Sequence, residues 1–331
     1  MELPLSLFDR TISRPHPRAF LVILAVILIT LPFMFAALDG IQLEVIRSGL
    51  WRNLLVQPVV IIYVLTIAPL LSRMGEEVVT AFRPLVDLDE ESYHQLLAQA
   101  STIPVWHEIV AILVGILLGI QSFFWGMSES GLRWLPVYWV ISTCVMFGLL
   151  TWTIYVSFAS TRLTSAIHQH VRRIDLFDIT PFQAIGKQSL ALALAFMGGL
   201  LLSLIFGTQA ESYLAVEFWV TYGIMGIVPL AVFFLNMLPT HRLLTQEKKR
   251  HTDELAARMR RLVHQMEALP LDGEIPSQLS MQFSALAAYE QRLLNTRTWP
   301  YNTTQLRTIF VSILIPALTL LVRLFVEEQF K

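Results

Sequence analysis

The sequence predicts an all-α, polytopic membrane protein with seven transmembrane helices, a cytoplasmic N-terminus, an external C-terminus and a cytosolic helical hairpin. Three observations lead to this fold class. Of 331 residues, 55% are hydrophobic and only 15% are charged, whereas soluble domains carry about 25% charged residues. Seven apolar runs are long enough to cross a lipid bilayer. Most lysines and arginines lie on one side of these runs, as in helical membrane proteins.

The seven apolar runs are distributed along the whole chain. A helix crosses the hydrocarbon core with about 20 predominantly apolar residues. The first run is too long for the apolar part of a typical cleaved signal peptide and has no clear cleavage site, so we expect it to be retained. The predicted spans are residues 19–38, 54–71, 109–125, 135–158, 190–207, 218–238 and 308–326.

Basic residues set the predicted orientation. Nineteen of the 24 lysines and arginines lie before span one, between spans two and three, between spans four and five, or between spans six and seven. Cytoplasmic flanks of membrane helices carry such an excess. We therefore expect the N-terminus in the cytoplasm, seven crossings of the cell membrane and an external C-terminus. This orientation excludes the seven-helix receptors and rhodopsins whose N-termini are external.

The chain divides into three predicted parts. Residues 1–238 form a membrane bundle of spans one to six with short cytosolic helices, residues 239–303 form a cytosolic helical hairpin, and residues 304–331 contain the seventh span. In the first arm of the hairpin, apolar residues recur every four and three positions, the spacing of a coiled coil. This spacing favours an oligomerisation surface formed by Leu255, Met259, Leu262 and Met266. Alternatively, the two arms bind a cytosolic partner.

Small residues form stripes on two of the spans. They recur every four residues along span five, and span three repeats the spacing once. Helices in lipid associate through close backbone packing, which small side chains permit. We therefore expect tight helix packing at Gly115, Gly119, Ala191, Ala195, Gly199, Ser203 and Gly207.

The sequence carries no recognisable catalytic or cofactor motif. The single cysteine, Cys144, excludes a multi-cysteine metal or iron–sulfur site. His107 and Glu108 begin a zinc-protease pattern, but Ala111 replaces its second histidine. The net charge of −1 provides no overall basic field for nucleic acid. We expect a protein that is not an enzyme, that binds no metal, cofactor or nucleic acid, and that has membrane lipid as a partner.

The seventh span combines a polar stripe with an apolar stripe. Hydroxyl residues and one arginine recur about once per helical turn, and apolar residues lie between them. Two alternatives remain open: the hydroxyls bond carbonyls of their own helix, or they face a water-filled passage on an oligomer axis. The second alternative predicts pore-lining residues Thr304, Thr308, Ser312, Thr319 and Arg323, and a gate of Val311, Ile315, Leu318 and Val322.

The order of these elements resembles the insect odorant and gustatory receptor type of seven-helix ion channel. Members of that family have a cytoplasmic N-terminus and a seventh helix divided into a cytosolic piece and a pore-lining piece. Residues 277–295 are similar to the cytosolic piece, residues 299–302 to the break, and residues 304–325 to the pore helix. The chain ends in Gln329-Phe330-Lys331, without the tyrosine of the family's closing motif.

The resemblance implies a homo-oligomer, a tetramer if the family pattern holds, and a small-molecule ligand among the outer halves of the helices. The matching aromatic residues are Phe123, Phe124, Trp125, Tyr138, Trp139, Phe218, Trp219 and Tyr222. An aromatic belt at the membrane interface explains the same residues. We therefore expect a homo-oligomeric ion channel, which a ligand could gate. The alternative is a non-conducting, membrane-anchored sensor or scaffold whose hairpin binds a partner.

Overall fold

The computed structural model describes residues 7, 11–12, 17–126, 132–171, 174–178, 180–207, 216–267, 276–301, 304–312, 314–315, 318 and 322. Its helices are α1 (Arg18–Leu38), α2 (Gln42–Arg47), α3 (Trp51–Phe82), a 3₁₀ turn (Arg83–Leu85), α4 (Glu90–Ser101), α5 (Val105–Gly126), α6 (Trp134–Gln169), α7 (Thr180–Phe206), α8 (Val216–Glu267) and α9 (Ser277–Leu294). Residues 304–312 are also helical and are called α10.

Six helices in the described part of the chain are long and apolar enough to cross a membrane. They contain the first six predicted spans, and the prediction of an all-α chain is confirmed for the described residues. Inside lipid, only a helix or a closed barrel satisfies every backbone hydrogen bond, so the helical architecture agrees with the apolar composition. The seventh predicted span, residues 308–326, falls mostly outside the described residues and stays a prediction.

Two of these six helices expose much of their apolar surface. Soluble proteins rarely expose continuous apolar patches of this kind, whereas a lipid-facing helix does so along its length. The exposed side chains include Phe20, Val22, Ile23, Val26 and Ile27 on α1, and Ile109, Leu113, Val114, Leu117 and Leu118 on α5. These two helices therefore present the surface expected to contact lipid.

Helices α5 and α6 pack backbone to backbone. A Cβ atom added at Gly119 would lie 2.8 Å from the Cα atom of Cys144. One added at Gly115 would collide with the hydroxyl oxygen of Thr151. That hydroxyl donates a hydrogen bond of 2.9 Å to the Ala111 carbonyl oxygen. The absence of side chains at the two glycines lets the helices approach closely enough for this bond.

Helices α3 and α7 pack through a tyrosine placed on small residues. The hydroxyl of Tyr63 donates to the carbonyl oxygen of Ala195 at 2.9 Å, and a Cβ at Gly198 would collide with the same phenol oxygen. Further along α7, a Cβ at Gly207 would lie 3.1 Å from a methyl group of Val56. The small residues of α7 thus face α3. The other residues of the predicted stripe, which are half-buried, are Ala191, Gly199 and Ser203.

A second core lies where the basic residues gather, and we call this end of the molecule the basic end. Here α3, α6 and α8 continue past the membrane-spanning length and pack with α4, α7 and α9. Phe82 and Phe182 meet edge to face, with ring centroids 5.2 Å apart. Removal of apolar surface from water stabilises this assembly. The buried residues include Val78, Phe82, Tyr93, Leu97, Ile167, Phe182, Ile185, Leu244, Leu255 and Leu293.

The predicted hairpin, residues 239–303, shares its first helix and its core with the membrane bundle. The sequence suggests a boundary at Pro239 because proline removes a helical hydrogen bond, but α8 continues through it from Val216 to Glu267. Met237 and Leu244, on either side of the proline, are fully buried. The proline is therefore packed on both sides within one continuous helix, which belongs to both predicted parts of the chain.

Asp39 ties the end of α1 to the start of α6, at the end of the molecule opposite the basic end. Its carboxylate accepts hydrogen bonds of 2.7–3.2 Å from the backbone N–H groups of Arg133, Trp134 and Leu135. It therefore caps α6 from another helix. Desolvation opposes ionisation of Asp39, but the bonds from Leu135, Trp134 and Arg133 together outweigh it and lower the pKa of this carboxyl.

This cap predicts a loss of stability in acid. Since the pKa of Asp39 is lower in the folded protein than in the unfolded chain, the carboxylate stabilises the fold above its ordinary pKa of about 3.9. That stabilisation is lost as the pH falls through the folded-state pKa. We expect the unfolding temperature in detergent to decrease from about pH 5 to pH 3, and less steeply in D39N. D253N, which removes an exposed carboxylate of α8, should keep the wild-type slope; an unchanged slope in D39N would contradict the cap.

Replacing Gly119 by alanine should force α5 and α6 apart, because the new Cβ would lie 2.8 Å from a backbone atom. We expect the free energy of unfolding in mixed micelles to fall by about 1–3 kcal/mol, as in overpacked cores. G226A on α8 is the control, since a Cβ there meets nothing within 4 Å. A G119A protein as stable as G226A would mean that the two backbones are not in contact.

Candidate functional site

The candidate functional site is the segment between α9 and α10, residues 295–301, which we call the elbow. It joins the core of the basic end to the start of the seventh predicted span. The imidazole of His241 on α8 stacks on the indole of Trp299, with ring centroids 3.9 Å apart and planes 10° apart. Its Nδ1 atom lies 3.2 Å from the Thr298 carbonyl oxygen, to which a protonated Nδ1 donates. One residue of α8 thus contacts the elbow at two points.

Aromatic rings surround Trp299. The ring centroid of Tyr301 lies 5.4 Å from that of Trp299. On α8, Phe234 meets Trp299 edge-on at 6.3 Å, and Phe233 lies 6.2 Å from Tyr301. Phe233 is fully buried and belongs to the same small core as Ile309 of α10. These separations are within the favourable range of about 4.5–7 Å for aromatic pairs, so the cluster sets the direction in which α10 leaves the elbow.

Lys248 on α8 anchors the other end of the elbow. Its Nζ atom donates to the carbonyl oxygens of Leu294 at 2.7 Å and Thr296 at 2.9 Å. Leu294 is the last residue of α9, where the helix dipole favours a positive charge. The charged donor therefore fixes the C-terminal end of α9 to α8 at the point where the elbow begins.

Four buried polar residues lie where α7, α8 and α10 meet, and we call them the polar seam: Ser189, Asn236, Thr240 and Gln305. A Cβ added at Gly186 of α7 would collide with the carbonyl oxygen of Pro300 and lie 3.2 Å from the Gln305 Oε1 atom. The elbow and α10 therefore approach the backbone of α7 closely. Buried polar groups are costly unless they are hydrogen-bonded, and the Ser189 hydroxyl has no hydrogen-bond partner among the described residues.

Helix α10 is held on one face only. Gln305 and Ile309 are buried against the bundle. The four residues of the predicted gate are exposed: Val311 and Ile315 at 46%, Leu318 at 55% and Val322 at 61%. Their successive spacings of four, three and four residues place them on one side of a helix. They form an apolar strip that is largely exposed in the described part of the chain.

The predicted pore hydroxyls bond their own helix. The Thr308 hydroxyl donates to the Thr304 carbonyl oxygen at 2.9 Å, and the Ser312 hydroxyl donates to that of Ile309 at 2.7 Å. This is the first of the two alternatives drawn from the sequence. Each hydroxyl oxygen retains the capacity to accept from water, so a pore lining stays a prediction. Two further predicted pore residues, Thr319 and Arg323, lie outside the described residues.

The predicted ligand pocket is described at two of its eight side chains. The Tyr138 hydroxyl donates to the Leu54 carbonyl oxygen at 3.1 Å, and its ring lies 5.7 Å from that of Phe35. Trp139 packs against the same cluster. Tyr138 therefore holds α1, α3 and α6 together. The structure describes the backbone but not the side chains of the other six residues, and the pocket stays a prediction; these residues are Phe123, Phe124, Trp125, Phe218, Trp219 and Tyr222.

The predicted oligomerisation residues divide into two pairs. Leu255 is buried in the core of the basic end, and Met259 packs against that core. Both side chains thus contribute to the core of this chain, and their contact with a second subunit stays a prediction. Leu262 and Met266 are half-buried and remain the candidates for contact with a second copy.

Glu108 is a buried carboxylate for which we predicted no role. It is fully buried at the start of α5 and accepts hydrogen bonds from Trp152 Nε1 at 2.7 Å and from the Leu7 backbone N–H at 3.0 Å. A charged residue at the end of an apolar run is typical of a membrane interface, so no local pattern predicts its burial.

Among the described residues, no group of three histidine, cysteine or carboxylate side chains could hold a metal ion.

Sequence reasoning located the break before α10 but not the residues that hold it. Trp299 and Pro300 interrupt the helical pattern, and this interruption predicted the break at the elbow. His241 and Lys248 belong to a basic stretch of α8, and such charge predicts a solvated helix face. Their partners in the elbow, Thr298 and Thr296, lie 57 and 48 residues later in the chain, so only the fold brings them together.

Comparisons with known proteins identify no relative of this chain. No protein-family model, curated protein or solved structure matches it. The proposals below therefore rest on its own contacts.

Replacing Lys248 by methionine should loosen the elbow, because the aliphatic chain remains while the charged donor to Leu294 and Thr296 is lost. We expect trypsin to cleave the detergent-solubilised protein after exposed Arg297 about fivefold faster, as follows from the loss of about 1 kcal/mol of contact. Mass spectrometry of the fragments identifies the cleaved bond. K249M changes the exposed neighbouring lysine and should cleave as wild type does; the same rate in K248M would contradict the anchor.

Proposed function

We propose that this protein is a homo-oligomeric ion channel of the cell membrane, with α10 and the rest of the seventh predicted span at the oligomer axis. The observation that carries the proposal is the apolar strip of Val311, Ile315, Leu318 and Val322, which is exposed along α10 and the helical residues that follow it. Arranged around an axis, such strips form a constriction that closes by excluding water.

In this proposal the basic end faces the cytoplasm. Cytoplasmic flanks carry the excess of lysine and arginine, and α8 alone carries several of these charges beyond its apolar part. The N-terminus then lies in the cytoplasm, and a seventh crossing leads to an external C-terminus. The residues of the elbow lie where the chain re-enters the membrane.

The elbow is the mechanical link between the core of the basic end and the proposed pore helix. His241 stacks on Trp299, and Lys248 holds the end of α9. A displacement of α8 therefore carries the elbow with it and changes the tilt or rotation of α10, a known form of gating motion. A small ligand bound among the outer halves of the helices would act through α8, because this helix also reaches the basic end.

The second candidate function is a non-conducting, membrane-anchored sensor or scaffold. Exposed apolar side chains at the basic end favour it: Met281 is 73% exposed and Leu294 is 54% exposed on α9. Apolar side chains on a water-facing helix are typical of a surface that binds a partner. The same surface would serve contacts between channel subunits, so conduction is the property that separates the two functions.

Currents through purified protein in planar bilayers test the channel. A C144S background removes the single native cysteine. In that background we expect modification of I315C by a charged, water-soluble thiol reagent to lower the current by about half or more, because the strip lines the constriction. I309C is the matched control on the same helix, and its buried position against the bundle should leave the current unchanged.

Four results would count against the channel. Absence of current in wild type and C144S, or the same response in I315C and I309C, would reject the pore assignment. Images of monomeric particles would reject the oligomer axis. An oligomer that carries no current would favour the scaffold.

A further inference from the structure

An open groove at the basic end is lined by two arginines. It lies between the connection from α6 to α7 and the end of α9, and its volume is about 550 Å³. Leu176 and Phe177 form one wall. The other wall includes Gln291, Arg292, Asn295 and Arg297. No carboxylate belongs to the residues that line this groove.

Arg292 is held by stacking and not by an ion pair. Its Cζ atom lies 4.4 Å from the centre of the Phe177 ring, and the Tyr289 ring meets Phe177 edge-on at 5.6 Å. Stacking covers the face of the guanidinium and leaves the N–H donors around its edge available. Arg292 is therefore positioned in advance to bind a planar or tetrahedral anion.

The arginines of the groove differ from others at the basic end in lacking a carboxylate partner within the described part of the chain. Arg83 pairs with Glu90 at 2.7 Å, and Arg250 pairs with Glu247 at 2.8 Å. No such pair forms at Arg292 or Arg297. Two carboxylates flank the wall formed by the α6–α7 connection, but both accept hydrogen bonds from backbone amides of their own loop: Asp175 from Phe177 and Asp178 from Thr180.

The groove lies close to the expected membrane surface. Arg297 belongs to the elbow and precedes Trp299 by two residues. Tryptophan and tyrosine, as at Trp299 and Tyr301, are enriched at the level of lipid headgroups. The predicted seventh span begins seven residues after Tyr301. The Arg297 end of the groove therefore lies next to the expected headgroup level, and the rest of the groove extends from there along the water-facing part of the basic end.

We propose that this groove binds the phosphate group of an anionic phospholipid in the leaflet at the basic end. Guanidinium groups bind phosphate through paired, charge-assisted hydrogen bonds, and the amides of Gln291 and Asn295 line the same groove. The apolar wall of Leu176 and Phe177 contacts the carbons next to the headgroup. The site does not depend on conduction, but its occupant would touch the elbow through Arg297.

Native mass spectrometry of the full-length protein tests the site. Detergent-solubilised protein is titrated with short-chain phosphatidic acid, and with phosphatidylcholine of equal chain length as the zwitterionic reference. We expect the wild-type protein to bind phosphatidic acid more tightly than phosphatidylcholine. We expect R292Q/R297Q to bind phosphatidic acid more weakly than wild type, by about fivefold for each charge removed. R258Q/R260Q is the matched control, since it removes two exposed arginines of α8 and should bind as wild type does.

A conservative variant reports on stacking. R292K keeps the charge but loses the planar contact with Phe177, so we expect weaker binding with an unchanged unfolding temperature. If R292Q/R297Q does not fold, R292K replaces it in the comparison of lipid binding with wild type and R258Q/R260Q. If R292Q/R297Q and R258Q/R260Q weaken the binding of phosphatidic acid equally, the effect comes from overall charge, and the proposed site is wrong. Inorganic phosphate that displaces the lipid at equal concentration, with the same dependence on Arg292, would overturn the assignment to lipid in favour of a soluble phosphate.

Discussion

The length of three helices is the constraint on which the rest of the structure depends. Helices α3, α6 and α8 contain 32, 36 and 52 residues, or about 48, 54 and 78 Å at 1.5 Å per residue. The hydrocarbon core is only about 30 Å thick, so each helix must emerge into water. There, its apolar side chains cluster away from water and form the core around Phe82, Phe182 and Leu244. The membrane bundle and the core of the basic end are therefore parts of the same helices.

The two ends of these helices pack for different physical reasons. In lipid, side chains gain little from leaving an apolar solvent, and association depends on close approach, as at Gly115 and Gly119. In water, burial of large side chains supplies the stabilisation. The elbow lies at the boundary between these environments and uses both polar and apolar contacts, with aromatic stacking at Trp299 and a charged anchor at Lys248. These contacts fix the segment to α8 at both of its ends.

The features that sequence reasoning predicted are local patterns. An apolar run identifies a span wherever it occurs, and Trp299-Pro300 identifies a break without reference to the rest of the chain. The contacts that it did not predict join distant residues: Asp39 caps a helix that begins 95 residues later, and Glu108 binds a backbone amide 101 residues earlier. Coiled-coil spacing predicted the apolar helix face at Leu255 but not its place in the core of this chain, because such spacing does not identify the surface that covers the face.

By itself, the sequence determined that the described chain is helical and contains six segments able to cross a membrane, because lipid leaves the backbone no other way to satisfy its hydrogen bonds within one segment. It also determined where the last helix separates from α9. Only the tertiary structure decided which face each helix buries: Leu255 is buried in the core, Ile315 is 46% exposed, and Arg292 and Arg297 line one groove. These outcomes depend on contacts between residues far apart in the chain, whose free energy is gained only when the helices pack against one another.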